Sequence, residues 1–145
     1  MAWAYFDTSA LIKRYVRETG RREVLQLFRV NECVTSVILP VEIRGALRRR
    51  VSEATLDKQR VPEILNHLAA DREFLTLVEV TSGVLTAAEA LVAVHPIRTL
   101  DAIHVASAQV FANRVGVAEL VFVSADVRQS AAAAAAGVAT TYVAT

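Results

Sequence analysis

Short apolar runs alternate along this chain with stretches whose apolar residues recur every three or four positions, and this alternation constrains the fold more than any other feature. Residues 3–6, Trp-Ala-Tyr-Phe, read as a buried strand ending at Asp7. Thr8 and Ser9 then offer caps for a helix through Leu11, Ile12 and Tyr15. After Gly20, residues 21–28 read as a second short helix and 33–36 as a short strand. Pro40 opens another helix, since proline suits a first turn, and this puts Glu42 where the helix dipole favours negative charge. Residues 55 to 74 predict a helix kinked near Pro62, and 75–80 a strand. Thr81 or Ser82 caps a helix that ends near His95 and Pro96, and a further helix from Thr99 or Leu100 to Arg114 carries Asp101 at its start. Residues 120–123 are a fully apolar strand followed by Ser124 and Asp126, 127–136 a helix closed by Gly137, and 138–143 a last strand. Five strands alternating with helices predict an α/β sandwich on a mostly parallel sheet.

At 145 residues and 54% hydrophobic, the chain has the content of one domain spanning 1–145, with no linker-like stretch and no fixed repeat. Its mean hydropathy is positive, yet no uncharged run reaches the roughly 18 residues that a membrane crossing needs, so the apolar residues are expected to form a core. The N-terminus lacks a basic segment followed by a long apolar one, which makes a cytoplasmic location the expectation. The single cysteine, Cys33, can form neither an internal disulfide nor a thiolate metal site and reads as a small buried hydrophobe.

In open α/β sheets the functional crevice lies beyond the carboxyl ends of the strands. Asp7 ends the first strand and Asp126 follows the fourth, while Glu42 and Asp101 stand near helix starts that can face the same crevice. Carboxylates crowded there repel one another unless a cation is bound. Hard oxygen ligands favour Mg²⁺ or Mn²⁺ over zinc, and such ions serve phosphate substrates, so phosphodiester hydrolysis is the natural chemistry. Each acid also has a plainer explanation. Asp7 and Asp126 are placed to cap helices, Glu42 to pair with Arg44 or meet the helix dipole, and Asp101 to cap near Thr99.

Four segments occur in order: Tyr-Phe-Asp-Thr-Ser-Ala-Leu-Ile-Lys at 5–13, Val-Glu-Ile-Arg-Gly-Ala-Leu at 41–47, Thr-Leu-Asp-Ala-Ile-His-Val-Ala-Ser-Ala at 99–108 and Phe-Val-Ser-Ala-Asp at 122–126. Together they resemble the PIN-domain nucleases, and most of all the VapC-type toxins of bacterial and archaeal toxin–antitoxin pairs. The resemblance spans nearly the whole chain. It implies a PIN-like three-layer sandwich with a parallel five-stranded sheet, Mg²⁺- or Mn²⁺-dependent endoribonuclease activity, a homodimer, and inhibition by a small cognate antitoxin. It makes Asp7 and Asp101 the principal metal ligands, with Asp126 completing the site directly or through water. Glu42 becomes the fourth acid, which holds or orients a water, and Thr8, Ser9 and Ser124 become supporting hydroxyls with helix caps as their other explanation.

Charge is unevenly spread. Residues 1–60 hold twelve of the sixteen basic residues against seven of the fifteen acidic ones, a net +5, and the remainder carries −4. Arg44, Arg48, Arg49 and Arg50 follow Glu42 on one helix, where Arg44 and Arg48, four apart, share a face that could hold RNA phosphates. Lys13 and Arg14, with Arg17, follow Asp7 similarly, and solvated helix surface is the competing explanation for both clusters. His104, one turn after Asp101, invites a general-base role, but its apolar helix favours a satisfied core histidine. His67 and His95 show no ligand spacing with it, and the alanines at 131–136 offer helix propensity and no chemistry. Val61, Ile64, Leu65 and Leu68 are expected to serve the core, a dimer contact or a groove for an antitoxin helix.

A haloacid-dehalogenase phosphatase needs a second Asp two residues after the first, where this chain has Ser9, and there is no glycine-rich phosphate loop. The rivals that remain are a catalytically silent PIN-like module that binds RNA or protein, and an RNA-processing PIN nuclease without an antitoxin. Such modules usually lack part of the acid set, which is intact here.

Overall fold

The computed structural model describes residues 2–117 and 119–144. Five strands, β1 (Trp3–Phe6), β2 (Glu32–Ser36), β3 (Leu75–Val78), β4 (Leu120–Ser124) and β5 (Thr140–Tyr142), pair in the order β3-β2-β1-β4-β5. Every pairing is parallel. The helices are α1 (Thr8–Tyr15), α2 (Arg21–Val30), α3 (Leu39–Ser52), α4 (Val61–Asp71), α5 (Ser82–Val94), α6 (Thr99–Val115) and α7 (Val127–Ala135). The predicted α/β sandwich is therefore what forms, with its sheet parallel throughout. No helix among the described residues is long and apolar enough to cross a membrane.

The period-2 alternation of strands explains the layers. On β1, Ala4 and Phe6 enter one core with Leu11, Ile12, Val24, Ile43, Leu47, Ile64 and Leu68, from α1 to α4. Tyr5 enters the other, with Val84, Leu91, Val105, Phe111 and Phe122, where α5 and α6 pack. Both faces are thus covered, as a parallel sheet requires. Val61, Ile64, Leu65 and Leu68 serve the first of these cores, and Cys33 is buried beside them.

At four instructive places the boundaries decide between expectations or depart from them. Of the three caps that the sequence offers for α1, Asp7 takes the place rather than Thr8 or Ser9, its carboxylate accepting the Ser9 amide. Pro62 does not kink a long helix. Asp57 caps a single 3-10 turn at Lys58–Arg60, and α4 starts anew with Pro62 in its first turn, where no amide is needed. β3 stops at Val78 because the Thr81 amide donates to the Glu79 carbonyl and bends the chain toward α5. Arg98, in the N-cap position of α6, makes no capping bond with its side chain, which leaves Asp101 in the first turn but not as the cap.

Gly20 precedes α2 with φ +91°, and a Cβ there would lie 2.4 Å from the Ala144 carbonyl oxygen. Both the left-handed backbone and the close approach exclude a side chain. Gly20→Ala is expected to cost at least about 1 kcal/mol, since alanine pays for positive φ even without a clash. Urea denaturation of the two proteins would measure it.

Candidate active site

The chain adds β2 and β3 on one side of β1, then crosses back to add β4 and β5 on the other. Strand order reverses between β1 and β4, and a crevice opens at the carboxyl ends of strands at such a point. Asp7 follows β1 and Asp126 follows β4, so both acids stand at this switch. Glu42 comes from the first turn of α3 and Asp101 from the first turn of α6. All four line one cleft of about 1140 Å³. The sequence-predicted acids, 119 residues apart from first to last, are brought together.

Asp7 is buried and rigidly held. Its Oδ2 accepts the Ser9 amide at 2.9 Å and its Oδ1 accepts Gln129 Nε2 at 2.9 Å. Carboxylate oxygens have two lone pairs each, so neither is exhausted. Ser9 also accepts the Ala125 amide, which ties α1 to the loop after β4. Ser124 Oγ donates to Gln129 Oε1 at 2.6 Å and accepts the Asp126 amide at 3.0 Å. Thr8 Oγ1 donates to Glu42 Oε1 at 2.6 Å. All three predicted supporting hydroxyls therefore contact an acid or the loop that carries one.

Asp126 caps α7 by accepting the Gln129 amide, so its plainer role is real as well. Its outer oxygen lies 3.5 Å from Arg98, whose Nε is 3.3 Å from Asp101. Burial first, then the charges of Asp7 and Asp126, push the Asp101 carboxyl above its usual range despite Arg98. The Arg98 side chain is 81% exposed, so its ion pairs are weak and give way to a competing cation.

His104 is buried in α6 and satisfied, as its apolar surroundings predict, but it is also bound to the acids. Its Nε2 is 2.5 Å from Glu42 Oε1 and 3.6 Å from Asp7 Oδ1, and its Nδ1 is 2.8 Å from the Tyr5 hydroxyl. Burial alone would lower the imidazole, yet Asp7 and Glu42 outweigh it and hold His104 above its ordinary value. Nε2–H thus donates to Glu42. Burial pushes Glu42 up, and His104 followed by Thr8 pulls it below the usual carboxylate range. Both bonds fall on Oε1; among the described residues Oε2 has no partner.

The basic candidates divide sharply. Arg14 is taken by Asp71, its Nε at 2.6 Å and a second nitrogen at 3.0 Å, and its guanidinium lies 3.9 Å from the centre of the Phe28 ring. It is built into the fold and does not line the cleft. Lys13 lines the cleft but is buried, donating to the Thr19 carbonyl beside Glu18. Arg44 and Arg48 are exposed, and neither lines the cleft. The face of α3 that does so carries Gly45, Ala46, Arg49 and Arg50, of which Arg50 is paired with Glu18.

Two participants, Gln129 and Arg98, escaped the sequence reading. Gln129 is fully buried and donates also to the Asp101 carbonyl at 3.2 Å, joining β1, β4, α6 and α7. Its only sequence signal is a large polar residue opening an otherwise alanine-rich helix. For Arg98 the signal is the three-residue spacing to Asp101.

The donor set suits a hard divalent cation: all four acids offer oxygen, Asp101 is short of positive charge, and a guanidinium already stands between Asp101 and Asp126. Among the described residues, no three acid, histidine or cysteine side chains converge as a finished metal cage. The acids ring a cleft instead.

The chain matches the PIN domain family over residues 4–135. Comparison with curated proteins finds no match. Among solved structures, it is similar to a toxin–antitoxin complex from Klebsiella pneumoniae, with TM-score 0.59, 22% identity, and 88% of this chain and 90% of that one covered. It is similar to VapBC2 from Rickettsia felis bound to a DNA fragment from their promoter, with TM-score 0.62, 11% identity, and 97% and 98% covered. It is also similar to FitAcB from Neisseria gonorrhoeae, with TM-score 0.63, 14% identity, and 94% and 95% covered. At these identities the likeness is one of fold. With the family match running from the second residue of β1 to the last of α7, the chain belongs to the PIN-domain family.

Proposed function

We propose that this chain is a divalent-metal-dependent endoribonuclease, the toxin of a toxin–antitoxin pair, that hydrolyses RNA phosphodiester bonds in the cleft of Asp7, Glu42, Asp101 and Asp126. The observation that carries the reading is the convergence of these four acids, from four separate elements, on the switch point of the sheet. Family membership supports a nuclease, and likeness to toxin–antitoxin complexes supports an antitoxin partner. A homodimer and a cytoplasmic location are part of the same reading.

Asp7, Asp101 and Asp126 would hold the ion, with Mg²⁺ as the first choice and Mn²⁺ as a substitute. When bound, the ion supplies positive charge against a phosphodiester and lowers the pKa of an attacking water. Glu42 is kept ionised and oriented by His104 and Thr8, and its free Oε2 is available to accept a hydrogen bond from that water. Arg49, exposed on the cleft wall, offers a cation to the substrate phosphates. Gln129 fixes the Asp7 carboxylate, so Gln129→Ala is expected to weaken both metal affinity and cleavage by about 10- to 100-fold, the usual effect of losing a ligand's supporting bond. Calorimetric titration of Mn²⁺ into both proteins reads the first effect without reference to activity.

The deciding experiment incubates a mixed RNA pool with protein freed of antitoxin, in Mg²⁺ or Mn²⁺ and in EDTA. Cutting is expected only with metal. Cutting that persists in EDTA would sink the mechanism, and intact RNA binding without any cutting would favour a silent binding module.

A further inference from the structure

A second recess, of about 180 Å³, lies beyond the C-terminal end of α1 and shares no lining residue with the acid cleft. Arg14, Arg17, Arg21 and Arg60 line it together with His67, and Glu63 is its one lining acid. We propose that this recess is a second binding site, specific for a phosphate group, carried on an RNA strand or free.

The charge balance points to an anion. Arg14 is neutralised by Asp71 behind the wall. Arg60 meets Glu63 at 3.5 Å, with both side chains largely exposed, a pair that contributes little. Arg21 donates one nitrogen to the main-chain carbonyls of Lys13 and Arg14, at 3.0 and 2.6 Å. These bonds fix its guanidinium without offsetting its charge. Arg17 is exposed and has no carboxylate partner among the described residues. Two positive charges therefore stand uncompensated in one concavity, and the crowding is felt: burial first, then Arg17, Arg14 and Arg60, push Arg21 below its ordinary range. Arranging like charges this closely costs stability that an anion restores. Guanidinium forks match the oxygens of phosphate, and one pre-fixed fork reduces the ordering cost of binding.

The site lies at the opposite end of α1 from Asp7, roughly 12 Å away at 1.5 Å per residue. That places it within reach of a strand whose scissile phosphate occupies the cleft. Only this last step rests on the proposed nuclease function.

The test uses the full chain in EDTA, where no metal can bring phosphate to the acid cleft. Inorganic phosphate is titrated at constant ionic strength against chloride, reading the thermal midpoint and the arginine Nε–H resonances. A saturable rise in midpoint is expected, because a ligand that binds only the folded state stabilises it. The double variant Arg17→Gln/Arg60→Gln removes only the exposed Arg60–Glu63 pair and relieves the crowding, so its phosphate-free midpoint should equal or exceed that of wild type while it binds phosphate at least tenfold more weakly. A non-saturable response, or an identical one in the double variant, would overturn the proposal. So would a poly-glutamate peptide that binds wild type tightly where phosphate does not, which would mark a carboxylate partner. A second arm measures a short single-stranded RNA on the Asp7→Asn background in EDTA. Weaker RNA binding on adding the double substitution supports a strand phosphate, and unchanged RNA binding with phosphate binding retained in wild type supports a free one. No arm reads cleavage, so failure here and failure of the nuclease reading are distinguishable.

Discussion

Asp7→Asn is expected to abolish metal-dependent RNA cleavage, by roughly a thousandfold or more, while leaving the protein folded. The catalytic loss follows from the number of roles that the carboxylate holds. Asp7 is the only one of the four acids that is fully buried, at 4% exposure, and it has fixed donors on both oxygens. An amide in its place halves the oxygen donors and removes the charge on which the proposed cation binding would depend. Metal catalysis is worth several kcal/mol of transition-state charge stabilisation, and each 1.4 kcal/mol is about tenfold in rate. Folding is preserved because asparagine is as good an N-cap as aspartate. Its carbonyl can still accept the Ser9 amide, and Gln129 can turn over to accept from its amide nitrogen, at the cost of one bond to the Asp101 carbonyl. Circular dichroism and urea denaturation should show a loss of about 1 kcal/mol, the usual worth of one hydrogen bond, beside the collapse of cleavage in the mixed-RNA assay. Cleavage reduced only in proportion to stability would reject Asp7 as a ligand.

The largest effect on stability is expected from Asp71→Ala, at roughly 3 kcal/mol, the low end of what breaking a buried ion pair costs. Asp71 closes α4 and is buried, accepting Arg14 twice and the Tyr15 hydroxyl at 2.7 Å. Its removal leaves a guanidinium that is only partly open to water and a buried phenol without an acceptor. Burial pushes the Asp71 carboxyl up, but hydrogen bonds from Arg14 and Tyr15 outweigh it and hold the group below its ordinary value. A folded value below the unfolded one, about 3.9, makes the stabilisation complete at pH values above that figure. It is then lost as pH falls through the folded value. Urea denaturation from pH 7 to pH 3 should therefore show the gap between wild type and Asp71→Ala narrowing only in the acidic range. A constant gap would mean that packing, not charge, carries the effect.

The Asp71 pair also shows where sequence reading runs out. Lys-Arg at 13–14 follows Asp7 by the spacing of a substrate-binding face, and nothing local tells that Arg14 is consumed by a carboxylate 57 residues later. Lys13 is similarly spent on Thr19 and Glu18. On α3 the face that reaches the cleft carries Arg49, because the helix is rotated by its buried Leu39, Ile43, Ala46 and Leu47. That rotation was legible in principle, since those four positions mark the core stripe.

The sequence by itself determined the elements, the class of fold and the four acids. Strand and helix periodicity, the proline in the first turn of α3 and the acids after β1 and β4 are properties of neighbouring residues, readable without the rest of the chain, whereas Pro62 reads as a kink and instead opens α4. Only the tertiary structure decided what each acid touches. Gln129 reaches Asp7 across 122 residues, His104 reaches Glu42 across 62, and Arg98 joins Asp101 to Asp126 across the cleft. Such contacts depend on strand order and helix rotation, which the packing of both cores sets together, and no local pattern encodes a bond between groups that meet only after the sheet has formed.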